Sequence, residues 1–386
     1  MRKRLTDCGA ALLPPLLLLA LERVSEGSVG RLMQDAQLYL SIADNALASG
    51  HFIQTVRPYA GFVVPPGFPL CLLLLRALGF GLAGLIAAQA VLFGLSCLLL
   101  ARTGRDLLGP WGLSVPFLYL LACLRCRLYL GSLSVEHWYL FLLCALVRLL
   151  FRNERGPRRL VLLHLASLAL LLTRPALAPV FLAVLVCTLA VCLREKRFAL
   201  GALLLLLPAV LLGLNLLVNH RETGEWVLLQ NYGVTDLYRA AAPGTALTRA
   251  QADTFNDPFL NDVMADASLS MSAKSRVLSE KAGAYIRSDP LLFFRNGLAR
   301  CCRLFLAEYA FLPLLALPGA VLLARGPKRR ETLGSLALAL LTVFISGFGV
   351  PEIRYTMPIW PLASLHLAAL CAALARLVPG RNCHER

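Results

Sequence analysis

Long apolar runs, separated by short basic or polar breaks, dominate this chain. Counted at about 20 residues per crossing, they predict membrane helices near 8–22, 82–101, 111–130, 137–151, 160–173, 175–193, 198–218, 304–324, 332–349 and 357–377. About ten spans are therefore expected, several of them short enough to need tilt or local thinning of the bilayer. Two stretches break the pattern. In the first, 23–81, residues 34–50 have the spacing of an amphipathic helix, with Leu38, Ile42 and Leu47 on one side and Asp35, Gln37 and Asp44 off it. Gly50 is expected to end that helix, and Pro65-Pro66-Gly67 to close the loop. The run Leu70–Leu75 followed by Arg76 is too short and too charged to cross, and predicts a helix lying at the membrane surface. The second stretch, 219–303, is the only soluble-like part. Its residues 253–270 are rich in Asp, Asn and Ser, Lys274 to Ser288 reads as helical, and Asp289-Pro290 breaks the helix. At about 85 residues it is expected to be too short and too polar for much of a core of its own, and to lie over the bundle as a lid or acceptor platform.

Composition agrees with this pattern. Of 386 residues, 58% are hydrophobic, and the mean hydropathy is +0.69, against about 45–50% apolar residues in soluble domains. The fold class expected is an all-α integral membrane bundle with outer juxtamembrane helices. Its parts are 1–218, a membrane region holding the outer loop 23–81; 219–303, a large outer loop; and 304–386, a second membrane region. The net charge of +16 lies mostly in short clusters between apolar runs. No basic and aromatic interleaving marks a nucleic-acid platform, so no nucleic-acid partner is expected. With the N-terminus inside, 19 of the 38 lysines and arginines fall in inner segments, while the three short outer loops hold only Arg174 and Arg354. Arg125 and Arg127, near the outer end of the third span, are the exception. The twelve cysteines are scattered, most inside apolar runs, and read as small hydrophobes. No small-residue cleavage site follows the first apolar run, so that run is expected to remain as a span.

Polar residues on the expected outer face gather in loops. They are Asp35, Tyr39 and Arg57 in the first, Glu136 and His137 in the second, Arg174 in the third, and Glu352, Arg354 and Tyr355 in the last. Ionisable groups beside hydrocarbon are costly, so they usually pair or act. Each also has a plain structural role open to it. Asp35 could cap a helix, Glu136 could stabilise a helix N-terminus, Arg174 could snorkel, and Glu352 could pair with Arg354. Their joint occurrence on one face is what makes a site of them.

Three motifs carry a resemblance. Asp35-Ala-Gln-Leu-Tyr39, Leu47-Ala-Ser-Gly50 and Pro65-Pro66-Gly67-Phe68-Pro69 look like the first outer loop of the GT-C glycosyltransferases. The nearest branch is that of protein mannosyltransferases, lipid A aminoarabinose transferases and rhizobial galacturonosyltransferases. Pro351-Glu352-Ile-Arg354-Tyr355-Thr-Met-Pro358 resembles that branch's late E-x-R-Y-x-x-P pattern, and residues 282–290 resemble the end of its large outer loop. The resemblance implies an inverting transferase that takes a sugar from a polyprenyl phosphate. The sugar passes to a glycolipid, glycan or protein acceptor on the periplasmic or lumenal side of a membrane, the bacterial inner membrane being the expected one. Asp35 is then the general base, with Glu136 orienting substrate hydroxyls. Arg57, Arg174 and Arg354 face the departing phosphate, because a guanidinium fork matches phosphate oxygens. Tyr39, His137, Glu352 and Tyr355 contact substrate. Many relatives carry two adjacent acids where this chain has Asp35-Ala36; a divalent cation stays open as a cofactor but without an acid pair to hold it, and no metal-ligating residues are assigned.

Two other functions compete. A transporter or lipid flippase would want polar groups deep in the spans and broken helices at the midplane, whereas these spans are nearly pure Leu, Ala and Val. An assembly subunit with this fold and no activity is the other alternative.

Overall fold

A computed structural model describes residues 34–53, 63–124, 133–152, 156–231, 233–242, 257–303, 311–329, 331–337 and 357–377, with a few positions between Gly9 and Leu16. All regular structure among the described residues is helical. Four stretches are long and apolar enough to cross a membrane: Leu82–Cys123, Pro175–Arg194, Phe198–Thr223 and Met357–Ala375. The protein is a helical membrane protein. The expected spans near 8–22 and 332–349 fall largely outside the described residues.

Helix α1 (Gln34–Ser49) and α2 (Gly67–Ala77) precede the bundle. Next come α3 (Leu82–Leu108), a 3-10 turn at Gly109–Ser114 and α4 (Val115–Leu124). The stretch Leu82–Cys123 is thus two segments, not one. Pro110 starts the turn, and a side chain on Gly112 would lie 2.0 Å from the Gly104 carbonyl carbon. Two glycines in backbone contact let α4 fold back against α3. Helices α5 (Glu136–Phe151) and α6 (Pro157–Thr173) follow as antiparallel neighbours. A 3-10 turn at Pro175–Leu177 leads to α7 (Ala178–Arg194) and α8 (Phe198–Thr223). Late in the chain, α13 (Phe311–Ala324) packs along α14 (Trp360–Leu377), which also contacts α3, α4 and α5. The main core lies there, around Tyr119, Tyr139, Leu100, Met357 and Trp360.

The bundle has two distinct ends. At one, the Arg148 guanidinium pairs with Asp106, joining the last turn of α5 to that of α3. Arg159 donates to the Leu149 and Leu150 carbonyls, each at 2.8 Å; there a cation meets the free carbonyls of a helix C-terminus. At the other end lie α1, α2, the starts of α3 and α5, and the junction of α6 with α7.

Two expectations are corrected. Leu47 does not share the buried face of α1. It is 47% exposed, and the covered positions are Ala36, Leu38, Tyr39, Ile42 and Ala43. The stripe 36, 39, 43 contains two alanines, so a count of large apolar residues misses it. The segment 219–303 also has a core of its own. Ahead of α12 (Pro290–Arg303), helices α9 (Val234–Ala241), α10 (Pro258–Ala265) and α11 (Met271–Ser288) gather Tyr238, Leu260, Val263, Leu278 and Ala282 into one small cluster. Each helix contributes only one or two of these, too few to stand out in a polar stretch.

Candidate active site

The site is built at the end of the bundle where the first loop meets the α6–α7 junction. Pro175 disfavours helical geometry in the residue before it, and Arg174 is extended, at φ −146° and ψ 98°. Helix α6 therefore stops at Thr173. The Arg174 amide caps it by donating to the Leu170 carbonyl at 2.8 Å. A cation at a helix C-terminus and an acid in the first turn of another are both favoured by the helix dipoles. Here the two meet. Arg174 Nη1 lies 3.4 Å from Glu136 Oε1, with the Glu136 side chain 2% and the Arg174 side chain 13% exposed. The guanidinium carbon also stands 5.0 Å from the centre of the Tyr139 ring, one turn along α5 from Glu136, a cation–π arrangement.

The first loop is pressed onto the same place. Gly67, the first residue of α2, touches the end of α6: a Cβ there would lie 2.7 Å from Thr173 Oγ1 and 2.9 Å from the Leu172 carbonyl. Only glycine permits that approach. Phe68 is fully buried. It takes the Tyr39 ring edge-on at 5.2 Å and leans on Trp138 at 6.1 Å. These rings join α1, α2 and α5 in one apolar cluster that also includes Leu85, Leu133 and Val135. Arg76 Nε donates to Asp44 Oδ1 at 2.8 Å, closing α2 against α1. The charge that argued against Leu70–Leu75 as a span is thus a link between α2 and α1.

His137 is buried beside Glu136. Its Nδ1 is 3.3 Å from Ser134 Oγ, and the Ser134 amide donates to Gln89 Oε1 at 2.8 Å. Gln89, Ser134 and Tyr139 were not singled out in the sequence, although a lone amide within an apolar helix was a readable signal. Asp35 is in the first turn of α1, one residue before buried Ala36 and one turn before Tyr39; its side chain is outside the described set. Arg57, Glu352, Arg354 and Tyr355 lie outside the described residues. The structure therefore brings together Glu136, Arg174, His137, Tyr39 and the backbone that carries Asp35. Among the described residues, no group of three His, Cys, Asp or Glu side chains gathers as a metal-ligand set.

A narrow cleft opens beside the first loop, between Ile42, Phe52, Ile53 and Val64 on one side and Asn219, Glu222 and Thr223 at the end of α8 on the other. His51 Nδ1 lies 2.9 Å from Glu222 Oε2. Val63 and Asn231 are tied twice: the Val63 amide donates to Asn231 Oδ1 at 2.9 Å, and the Asn231 amide to the Val63 carbonyl at 3.4 Å.

No family model, curated protein or solved structure matches this chain.

Proposed function

We propose that this protein is an inverting membrane glycosyltransferase that moves a sugar from a polyprenyl phosphate to an acceptor hydroxyl at the outer end of a bundle of about ten spans. The observation that carries this reading is the meeting of three segments distant in sequence. Helix α1, the start of α5 and the end of α6 converge at one end of the bundle, with Glu136 and Arg174 3.4 Å apart. In the reaction, the acceptor oxygen attacks the anomeric carbon and its proton passes to Asp35. The bond from that carbon to the phosphate oxygen breaks, and polyprenyl phosphate leaves with the electron pair. Arg174, held by Glu136 and backed by Tyr139, supplies fixed positive charge for the departing phosphate. Arg57 and Arg354 add to that charge.

Substitution of Asp35 by Asn tests the proposal. Asn matches Asp35 in size within the first turn of α1, so the change removes the base and costs the helix only the small dipole gain of an acid at that end. Transfer by the purified protein is expected to fall about 10²–10⁴-fold with stability unchanged. A rate near wild type would show that the base lies elsewhere. The substrates come from mass spectrometry of envelope glycolipids and glycoproteins with and without the protein, where the loss of one sugar mass names the donor and acceptor class. The buried Glu136–Arg174 pair also supports a second reading, an assembly subunit in which the pair only joins α5 to α6. An unchanged set of glycans would favour it.

A further inference from the structure

Helix α12 (Pro290–Arg303) is built inside out for a protein surface in water. Its inward face carries Gly297, Arg300 and Cys301, all buried, with Arg300 fully enclosed and its Nη1 donating to the Ala240 carbonyl at 3.4 Å. Its open face carries Leu291, Phe294 and Leu298, exposed by 76%, 48% and 47%. These are spaced i, i+3, i+7, so they form one stripe. Exposed Arg295 stands beside that stripe, and no acid occurs between Pro290 and Arg303. A contiguous apolar face turned outward marks a surface meant to be covered.

We propose that this face docks into the bilayer leaflet at the active-site end of the bundle, with Arg295 at the level of the lipid phosphates. The placement of the helix argues for lipid as the occupant. The cluster α9–α12 is pinned beside the end of the apolar helix α8, because Ser272 donates to the Glu225 carboxylate and Ser275 to the Asn231 carbonyl. Trp226, 64% exposed, stacks on His220 in the last turn of α8, the kind of ring that sits at a membrane–water boundary. After Arg303 the chain reaches α13 within eight residues, a reach of at most about 28 Å. Helix α13 packs along the apolar span α14. The helix is thus held at the membrane surface from both sides. Leu291, Phe294 and Leu298 with one arginine and no acid have the composition of an interfacial helix on an anionic surface.

The test uses the full chain in vesicles of phosphatidylcholine and phosphatidylglycerol. A benzophenone amino acid is placed at Leu298, and in a second variant at Phe294. A control carries it at exposed Glu280 on α11. After irradiation, lipid adducts are expected at 294 and 298 at least tenfold above the control. Lipid adducts at 298 should fall severalfold when Arg295→Glu is added. Lipid adducts no more frequent than at 280 would overturn the proposal, and so would adducts mainly to a second copy of the protein. Equal adduct yields with and without Arg295→Glu would overturn the role of the arginine.

Discussion

Arg174 and Glu136 each have a local reason to be where they are, and the contact between them joins those reasons. Glu136 suits the start of α5 and Arg174 the end of α6. Because the Glu136 side chain is almost fully enclosed, its charge depends on Arg174. Removing one partner of a buried pair costs about 3–5 kcal/mol, whereas removing both costs much less. Glu136→Gln and Arg174→Gln should therefore each lower the melting temperature in detergent, and the double variant should recover most of the loss. The pair's function separates from its structural role in that double variant. If Arg174 serves the donor phosphate, stability returns and transfer does not. Recovery of both would reduce the pair to a joint between two helices. Arg174 was legible as a site residue because Pro175 fixes it at a helix end and few other cations lie on that face. Tyr139 was not, since an aromatic residue in an apolar run gives no sign of what it faces until the neighbouring helix is in place. His137 was readable as polar and near the membrane, but its burial beside Ser134 depends on how α5 enters the bundle.

At the scale of elements, apolar periodicity located the helices well and their junctions less well. The break between α3 and α4 is set by the contact of Gly104 with Gly112, which no count of apolar residues registers. Gly112→Ala would force a methyl group into the Gly104 carbonyl carbon at 2.0 Å. Overpacking of this kind costs typically about 1–3 kcal/mol, and backbone has less room to yield than a side chain. The expected outcome is a clear fall in melting temperature. Gly213→Ala on α8, where nothing lies within 4 Å, should be neutral or slightly stabilising, since alanine is the better helix former by about 0.5–1 kcal/mol. Equal effects from the two changes would mean that the α3–α4 turn is not close-packed. The cluster of α9, α10 and α11 makes a separate prediction. Its small core holds α9, α10 and α11 together without any substrate, so protease cleavage within 257–288 should be slow in the unliganded protein. Leu278→Ala, costing about 2–5 kcal/mol in a fully packed site, should speed that cleavage severalfold while leaving the membrane helices intact. Rapid cleavage of the unsubstituted protein, slowed only by a polyprenyl phosphate, would instead mean that the segment takes its order from its ligand.

The whole molecule is organised by which end of the bundle each loop occupies. The sequence supplies this as a charge asymmetry, and the structure supplies it independently as contacts. Arg148 with Asp106 and Arg159 with the end of α5 bring the basic breaks after α3 and after α5 to one end. Glu136 with Arg174, Gln89 with Ser134, and Val63 with Asn231 gather the polar loops at the other. Alternation of α5, α6, α7 and α8 between those ends leaves little freedom in assigning sides. Applied to that arrangement, the positive-inside rule predicts that the end with the short basic loops faces the cytoplasm. Reporter insertions after Lys196 and Lys328 should read as cytoplasmic, and insertions after Gly50 and Asp266 as external. The decisive comparison is Gly50 with Lys196. The first is in the loop that carries α1, and the second follows the helix that starts at the Arg174 junction. If both report the same side, the span count between them is wrong by one. The loop that carries Asp35 could then not share a face of the membrane with the Glu136–Arg174 pair, and the transferase reading would fall with the topology.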